Sequence, residues 1–265
     1  MLIGQYKKLE SIWTRVGGLR VHARASEGPA PEERTAVVLV HGLIVSSRYM
    51  VPIAERLAPY HRVFAPDLPG FGRSERPLQA LDVAGLSDAL SAWMGEVGLE
   101  RATLVGNSMG CQVIADLAVR HPCRVERAVL QGPTIDPLGR SVPRQVGRFL
   151  LDVPREPLSL IPIELLDYLS VGTRRAWRTF RYALEDRIEE KLPNMRVPTL
   201  VVSGSRDPIV PQRWAKEVVD LLPMGRLCVI PGAAHAANYG WAAEFARVIQ
   251  AFLDEGNRPP SGGSQ

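Results

Sequence analysis

Apolar and polar positions alternate over Ser11–Val16 and again over Leu19–Ala23, with Gly17-Gly18 between them. Alternation puts one face of a strand on a core, and paired glycines between such runs mark a tight hairpin. Ala36–Val40 is apolar without interruption, the pattern of a central strand buried on both faces. Ser46 or Ser47 is placed to cap a helix reaching Ala58, and Arg62–Ala65 reads as the next strand. Leu86, Leu90, Trp93, Met94 and Val97 repeat at helical spacing, as do Val113, Ile114, Leu117 and Ala118 after the short apolar run Ala102–Val105. Ala128–Gln131 is a further strand. Strands alternating with helices imply an α/β fold, a mostly parallel sheet with helices on both faces.

From Gly132 the rhythm breaks. Up to about Pro193 the chain has repeated prolines and helical patterns but no buried strand. Strands return at Thr199–Ser203 and Arg226–Ile230, with helices near Trp214–Leu221 and Trp241–Leu253. An insertion that interrupts a parallel sheet and then releases it reads as a lid. Its apolar runs, Leu150-Leu151 and Leu160–Leu169, have no strand to pair with and are expected to roof a pocket.

Composition narrows the class. With 265 residues, 46% of them hydrophobic and 23% charged, the chain is an ordinary globular protein able to bury one large core or two small ones. It holds no apolar run near the ~18 residues a membrane span needs, and Met1–Glu10 lacks the apolar stretch of a secretion signal. Cys111, Cys123 and Cys228 are odd in number and form no paired motif, so reduced thiols in a cytoplasmic protein are expected. The net charge of +4 is scattered, which suits solubility rather than nucleic-acid binding. The tail 256–265, rich in Gly, Pro and Ser, is expected to be disordered.

The chemistry centres on Gly106-Asn107-Ser108-Met109-Gly110, a G-x-S-x-G placed where a strand must turn sharply into a helix. Such a turn lifts the Ser108 hydroxyl above the sheet, beside helical N–H groups that favour developing negative charge. A serine nucleophile needs a base, and the base an orienting carboxylate. After Ser108 only His121 and His235 are available. His121 lies a dozen helical residues on, roughly 20 Å away at helical rise, which leaves His235, just past the strand ending at Ile230. Asp207, in Gly204-Ser-Arg-Asp-Pro208, is the expected acid, with Asp136 as its rival. Acyl transfer also needs oxyanion donors. These are expected from the backbone N–H of Met109, after the nucleophile, and of Leu43, after the Ala36–Val40 strand. Gly42, Leu43 and Met109 are then also substrate-binding positions.

Taken together, His41-Gly42, Asp67-Leu-Pro-Gly-Phe-Gly-Arg-Ser74, Gly-Asn-Ser108-Met-Gly, Ser-Arg-Asp207-Pro and Gly-Ala-Ala-His235 resemble the α/β-hydrolase superfamily over nearly the whole chain. The resemblance implies an eight-stranded, mostly parallel sheet formed by residues 1–133 and 195–255. It implies a helical cap, residues 134–194, inserted after the sixth strand. It also implies a serine hydrolase of carboxylic esters, carboxylesterase-like, acting on small to medium apolar acyl or alcohol groups. No metal or organic cofactor is implied, and the partner is a small-molecule ester, the protein being a monomer or homodimer. Members with an aspartate nucleophile are disfavoured because Ser stands at 108.

Two other readings share these residues. Carbon–carbon hydrolases of ring-cleavage products have a similar cap, but Cys111 and Ala236 stand where they usually have Gly and Trp. A low-turnover receptor or scaffold would keep the same triad. A ring-cleavage substrate carries a carboxylate, for which Arg174, Arg178 and Arg181, with Arg175 nearby, are the obvious cations, although interleaved acids such as Glu185 and Asp186 suit a solvated face better. Cys111 is read as packing, and Trp241 as core of the last helix. An imidazole titrating near 6.5 predicts activity rising through roughly pH 6 to 7.

Overall fold

The computed structural model describes residues 8–28 and 35–256, so expectations for 1–7, 29–34 and the tail from 257 lie outside the described residues. Strands β1 (Leu9–Val16) and β2 (Leu19–Ser26) form the expected hairpin, paired from Leu9 opposite Ser26 to Val16 opposite Leu19. Gly17 and Gly18 turn it with φ of 55° and 85°, a left-handed pair that glycine adopts without steric cost. The remaining strands are β3 (Val37–Val40), β4 (Val63–Pro66), β5 (Ala102–Asn107), β6 (Val125–Gln131), β7 (Thr199–Gly204) and β8 (Gly225–Ile230). They make an eight-stranded sheet in the order β1-β2-β4-β3-β5-β6-β7-β8. β2 meets β4 antiparallel, and every pairing from β4 to β8 is parallel. The apolar runs read as central strands are buried at every position of β3, β4, β5 and β7.

The helix expected from Ser46 opens as a 3-10 turn over Ser47–Met50, where Ser46 Oγ accepts from the Arg48 N–H, and continues as α1 (Val51–Leu57). α2 (Val83–Glu96) and α3 (Met109–Arg120) follow as their spacing predicts. Between β6 and β7 the chain is helical and adds no strand: α4 (Val142–Asp152), α5 (Ile161–Val171), α6 (Thr173–Glu185) and the single turn α7 (Ile188–Lys191). α8 (Gln212–Leu221), the short α9 (Ala237–Gly240) and α10 (Ala242–Gly256) complete the chain.

The side-chain alternation of β3 divides the core. Val38 and Val40 pack with Leu86, Leu90 and Trp93 of α2, Ile114 of α3 and Trp214 of α8. Val37 and Leu39 pack with Ile53 and Leu57 of α1 and with Phe245 and Ile249 of α10. The sheet is therefore a middle layer between two helical layers. Each such buried side chain contributes on the order of 1.5–3 kcal/mol against exposure. Trp241, expected as core, is only partly buried, at the junction of α9 and α10. The roofing expectation needs a correction: Leu150 and Leu151 are 65% and 57% exposed. On α4 the residues that line the cavity below are Gln145, Val146, Phe149 and Asp152, of which 145, 149 and 152 share one helical face.

Candidate active site

Ser108 sits between β5 and α3 with φ 56° and ψ −121°. A left-handed φ on a non-glycine residue costs on the order of 1–2 kcal/mol, so the surroundings must impose it. They do so by hydrogen bonds and by crowding. The Ser108 N–H donates to Gln131 O at 3.0 Å, and its carbonyl accepts from the Cys111 N–H at 2.9 Å. A Cβ on Gly106 would sit 2.8 Å from the carbonyl carbon of Gly110, so only glycines let β5 and α3 pass this closely. Cys111 is fully buried against the carbonyls of Gly106 and Gln131, in keeping with a packing role.

The turn after β3 runs alongside. A Cβ on Gly42 would lie 3.2 Å from the Ser108 Cβ. Ile44 has φ 63°, a second strained position and a costly one for a β-branched residue. His41 fixes this turn: its Nδ1 lies 2.8 Å from Gly42 O, and its Nε2 accepts from the Leu68 N–H at 3.0 Å. That pattern requires the neutral tautomer protonated on Nδ1, and burial pushes the His41 pKa down in agreement. Asp67, in the Asp-Leu-Pro-Gly-Phe-Gly-Arg-Ser stretch, is equally a framework group. It accepts from the Ser47 and Arg73 N–H groups and pairs with His22 at 2.8 Å. A second buried His–Asp pair thus exists, far from Ser108 in role, tying β2 to the loops below the site.

His235 lies in the loop after β8, with Nδ1 2.8 Å from Asp207 Oδ2. The other oxygen of Asp207 accepts from the N–H groups of Ile209 and Val210, which holds the carboxylate in place. Asp136, the rival acid, is engaged elsewhere, bonded to Arg148 at 2.8 Å and Arg213 at 2.7 Å. His121 ends α3 and pairs with Asp88.

Ser108, Met109, Gly42, Leu43 and His235 all line one cavity of about 650 Å³. Its walls are mainly apolar and include Ile44 and Val45 from the sheet side with Phe149, Ile161, Leu165, Trp177 and Phe180 from the inserted helices. Arg174, Arg178 and Arg181 are exposed and are absent from the lining; Arg181 pairs with Glu185, and Arg175 donates to Pro77 O.

The sequence reading missed the acids on the helical side. Asp152, Glu156 and Glu164 line the cavity, and among the described residues no Lys or Arg does. Asp152 Oδ1 accepts from the His235 N–H at 3.3 Å, and Glu156 Oε1 from the Ala236 N–H at 2.6 Å. Burial raises all three carboxyl pKa values, and Glu156, with Asp152 beside it, reaches about 8. Burial alone would lower the His235 pKa. The charge and hydrogen bond of Asp207, then Asp152 and Glu156, outweigh it and raise His235 to about 9. The one sequence signal was that these acids stand among apolar residues in a segment without strands. Asn107 was also overlooked: with Gln131 it donates to the His235 carbonyl, at 3.3 and 2.8 Å.

Residues 37–248 match the model of the alpha/beta hydrolase family. The chain is 31% identical over 237 residues to a 2-hydroxymuconate semialdehyde hydrolase of Pseudomonas sp. (strain CF600), covering 77% of this chain and 80% of that one. It is 27% identical over 251 residues to a pimeloyl-[acyl-carrier protein] methyl ester esterase of Pectobacterium atrosepticum, covering 82% and 94%. A thermophilic esterase from Thermogutta terrifontis, solved with malate bound, superposes with a TM-score of 0.76 at 21% identity over 93% of this chain and 98% of that one, which establishes the shared fold.

Proposed function

The chain belongs to the alpha/beta hydrolase family, and from that premise we propose that it is a serine hydrolase of carboxylic esters with small to medium apolar acyl or alcohol groups. The observation that carries this reading is the strained Ser108 facing the same apolar cavity as a His235 held by Asp207. In this mechanism Ser108 Oγ attacks the ester carbonyl carbon while His235 Nε2 takes the hydroxyl proton. Asp207 keeps the remaining proton on Nδ1 and stabilises the imidazolium. The backbone N–H groups of Leu43 and Met109 hold the oxyanion. Collapse of the tetrahedral intermediate breaks the carbon–oxygen bond, and the alcohol leaves with the proton from Nε2. A water deprotonated by His235 then attacks the acyl-enzyme, releasing the acid and restoring Ser108.

Residues 134–194 act as a cap over the core formed by the described residues within 1–133 and 195–255. Their apolar side chains along the cavity select the acyl chain by area. The rival reading, hydrolysis of a carbon–carbon bond in a carboxylate-bearing ring-cleavage product, draws on the Pseudomonas relative. The cavity lining argues against it: among the described residues no Lys or Arg lines it, the acids Asp152, Glu156 and Glu164 do, and Arg174, Arg178 and Arg181 are exposed.

Three measurements test the proposal. The protein is expected to turn over short aryl esters and to be labelled by a fluorophosphonate. Ser108→Ala and His235→Ala are each expected to cut kcat by roughly 10⁴–10⁶, with the double variant little worse. Retained turnover in Ser108→Ala sinks the reading, and a folded parent that neither labels nor turns over esters favours a scaffold.

A further inference from the structure

We propose that Asp152 and Glu156 are positioning residues for His235, through which the inserted helices hold the catalytic base. The proposal rests on His235 being that base, as argued above. His235 is flanked by Ala233 and Ala234 before it and Ala236 and Ala237 after it, all buried and none with a polar side chain to hold the ring. Besides the Asp207 bond to Nδ1, what orients the imidazole is therefore the grip on its backbone.

That grip comes from two sides. From the sheet, Asn107 and Gln131 donate to the His235 carbonyl, and Gln131 Oε1 in turn accepts from Asn107 Nδ2 at 2.5 Å. From the insertion, Asp152 at the end of α4 accepts the His235 N–H, and Glu156 accepts the next N–H, that of Ala236. Carbonyl, amide and following amide are all engaged, with donors on one side and carboxylates on the other. Asp152 is buried, and among the described residues neither acid lies in an ion pair with a Lys or Arg. Holding two acids side by side away from water, Asp152 buried and Glu156 half-buried, is costly, and two apolar or amide side chains would spare that cost. Their placement on the His235 loop gives the expense a function.

The charged and titratable groups facing His235 are Asp207 from the loop after β7, Asp152 from α4, Glu156 from the turn that follows, and Glu164 from α5. Apart from Asp207, all belong to the insertion. Helices that shift when the cavity fills would therefore move both the orientation and the charge environment of the base.

Amide and alanine variants separate this role from a structural one. Asp152→Asn and Glu156→Gln keep an oxygen to accept the backbone N–H but remove the charge. Each is expected to keep its high-pH kcat within about threefold of the parent, while the ascending limb of kcat/KM against pH moves down by roughly one unit, as loss of a nearby carboxylate requires. Asp152→Ala and Glu156→Ala also remove the acceptor, and are expected to lose about tenfold or more in kcat, with KM for a short ester nearly unchanged, as misorientation of the base predicts. An unmoved pH midpoint in both amide variants overturns the proposal, whether or not the alanine variants fold. Folded alanine variants with the parent's plateau kcat also overturn it. The proposed reaction is read separately: Ser108→Ala inactive beside unaltered Asp152 and Glu156 variants refutes only the positioning role.

Discussion

Gly132→Ala is expected to perturb His235, the proposed base, by steric contact. Gly132 follows β6 with φ 57°, and its N–H donates to Val202 O at 2.9 Å. A Cβ built there would lie 2.9 Å from His235 Cε1, 3.0 Å from Nδ1 and 3.4 Å from Asp207 Oδ2. Non-bonded carbons settle near 3.5–4.0 Å, so the ring must retreat by roughly 0.6–1 Å. A displacement of ~1 Å at a reacting group costs about 100-fold, so kcat is expected to fall by roughly 10- to 100-fold. The left-handed φ adds a separate cost to folding of about 1–2 kcal/mol, or a Tm lower by about 2–8 °C. Gly98→Ala isolates that second effect: Gly98 has φ 75° and nothing within 4 Å of its Cβ position. It is expected to lose a similar amount of Tm and no activity. The assay is kcat and KM on a short aryl ester beside calorimetric Tm for both variants. Equal Tm losses with parental kcat/KM in both would refute the reasoning, because a displaced His235 would then be harmless.

The remaining predictions concern the acid, the pH profile and the cavity walls. Asp207→Asn is expected to lower kcat by roughly 10⁴ through the wrong imidazole tautomer, whereas Asp136→Asn, which loosens Arg148 and Arg213, should lower Tm and leave kcat near the parent; the reverse ranking would assign the acid to Asp136. Because His235 is raised to about 9, it is a cation at neutral pH, so kcat/KM should climb up to about pH 9 rather than level off near pH 7 as an unperturbed imidazole would; a plateau by pH 7.5 contradicts this. The same shift contributes stability that is complete below about pH 6.5 and is lost as pH rises through the folded value, measurable by urea denaturation at pH 6 and 9.5. Each methylene added to the acyl chain should raise kcat/KM a few-fold, at ~0.8 kcal/mol per buried group, until the cavity is full, and Phe149→Ala should flatten that series; Arg178→Gln, on an exposed face, should change ester turnover by less than about twofold.

Sequence alone determined the elements whose cause is local. The uninterrupted apolar runs of β3 and β5 needed only their own side chains to declare a strand buried on both faces, and Gly17-Gly18 declared a turn because two left-handed residues in succession favour glycine. Ser108 was legible because the elbow writes its steric demands into residues 106 and 110 beside it. His235 and Asp207 followed, since each lies just past a strand end. Tertiary structure decided what depends on distance across the chain. Asp136 and Asp207 are equivalent as letters, and only packing gives the first to Arg148 and Arg213 and the second to His235. The cavity wall was misread at Leu150-Leu151, because a helix turned by 100° per residue exposes those two while burying Gln145 and Asp152. Asp152 and Glu156 reach the His235 loop across 83 and 80 residues of chain, through a segment whose helices have no periodic partner in the sheet. Local periodicity carries no record of such a contact, and the pKa of about 9 that it helps impose on His235 arises only when folding removes water from between them.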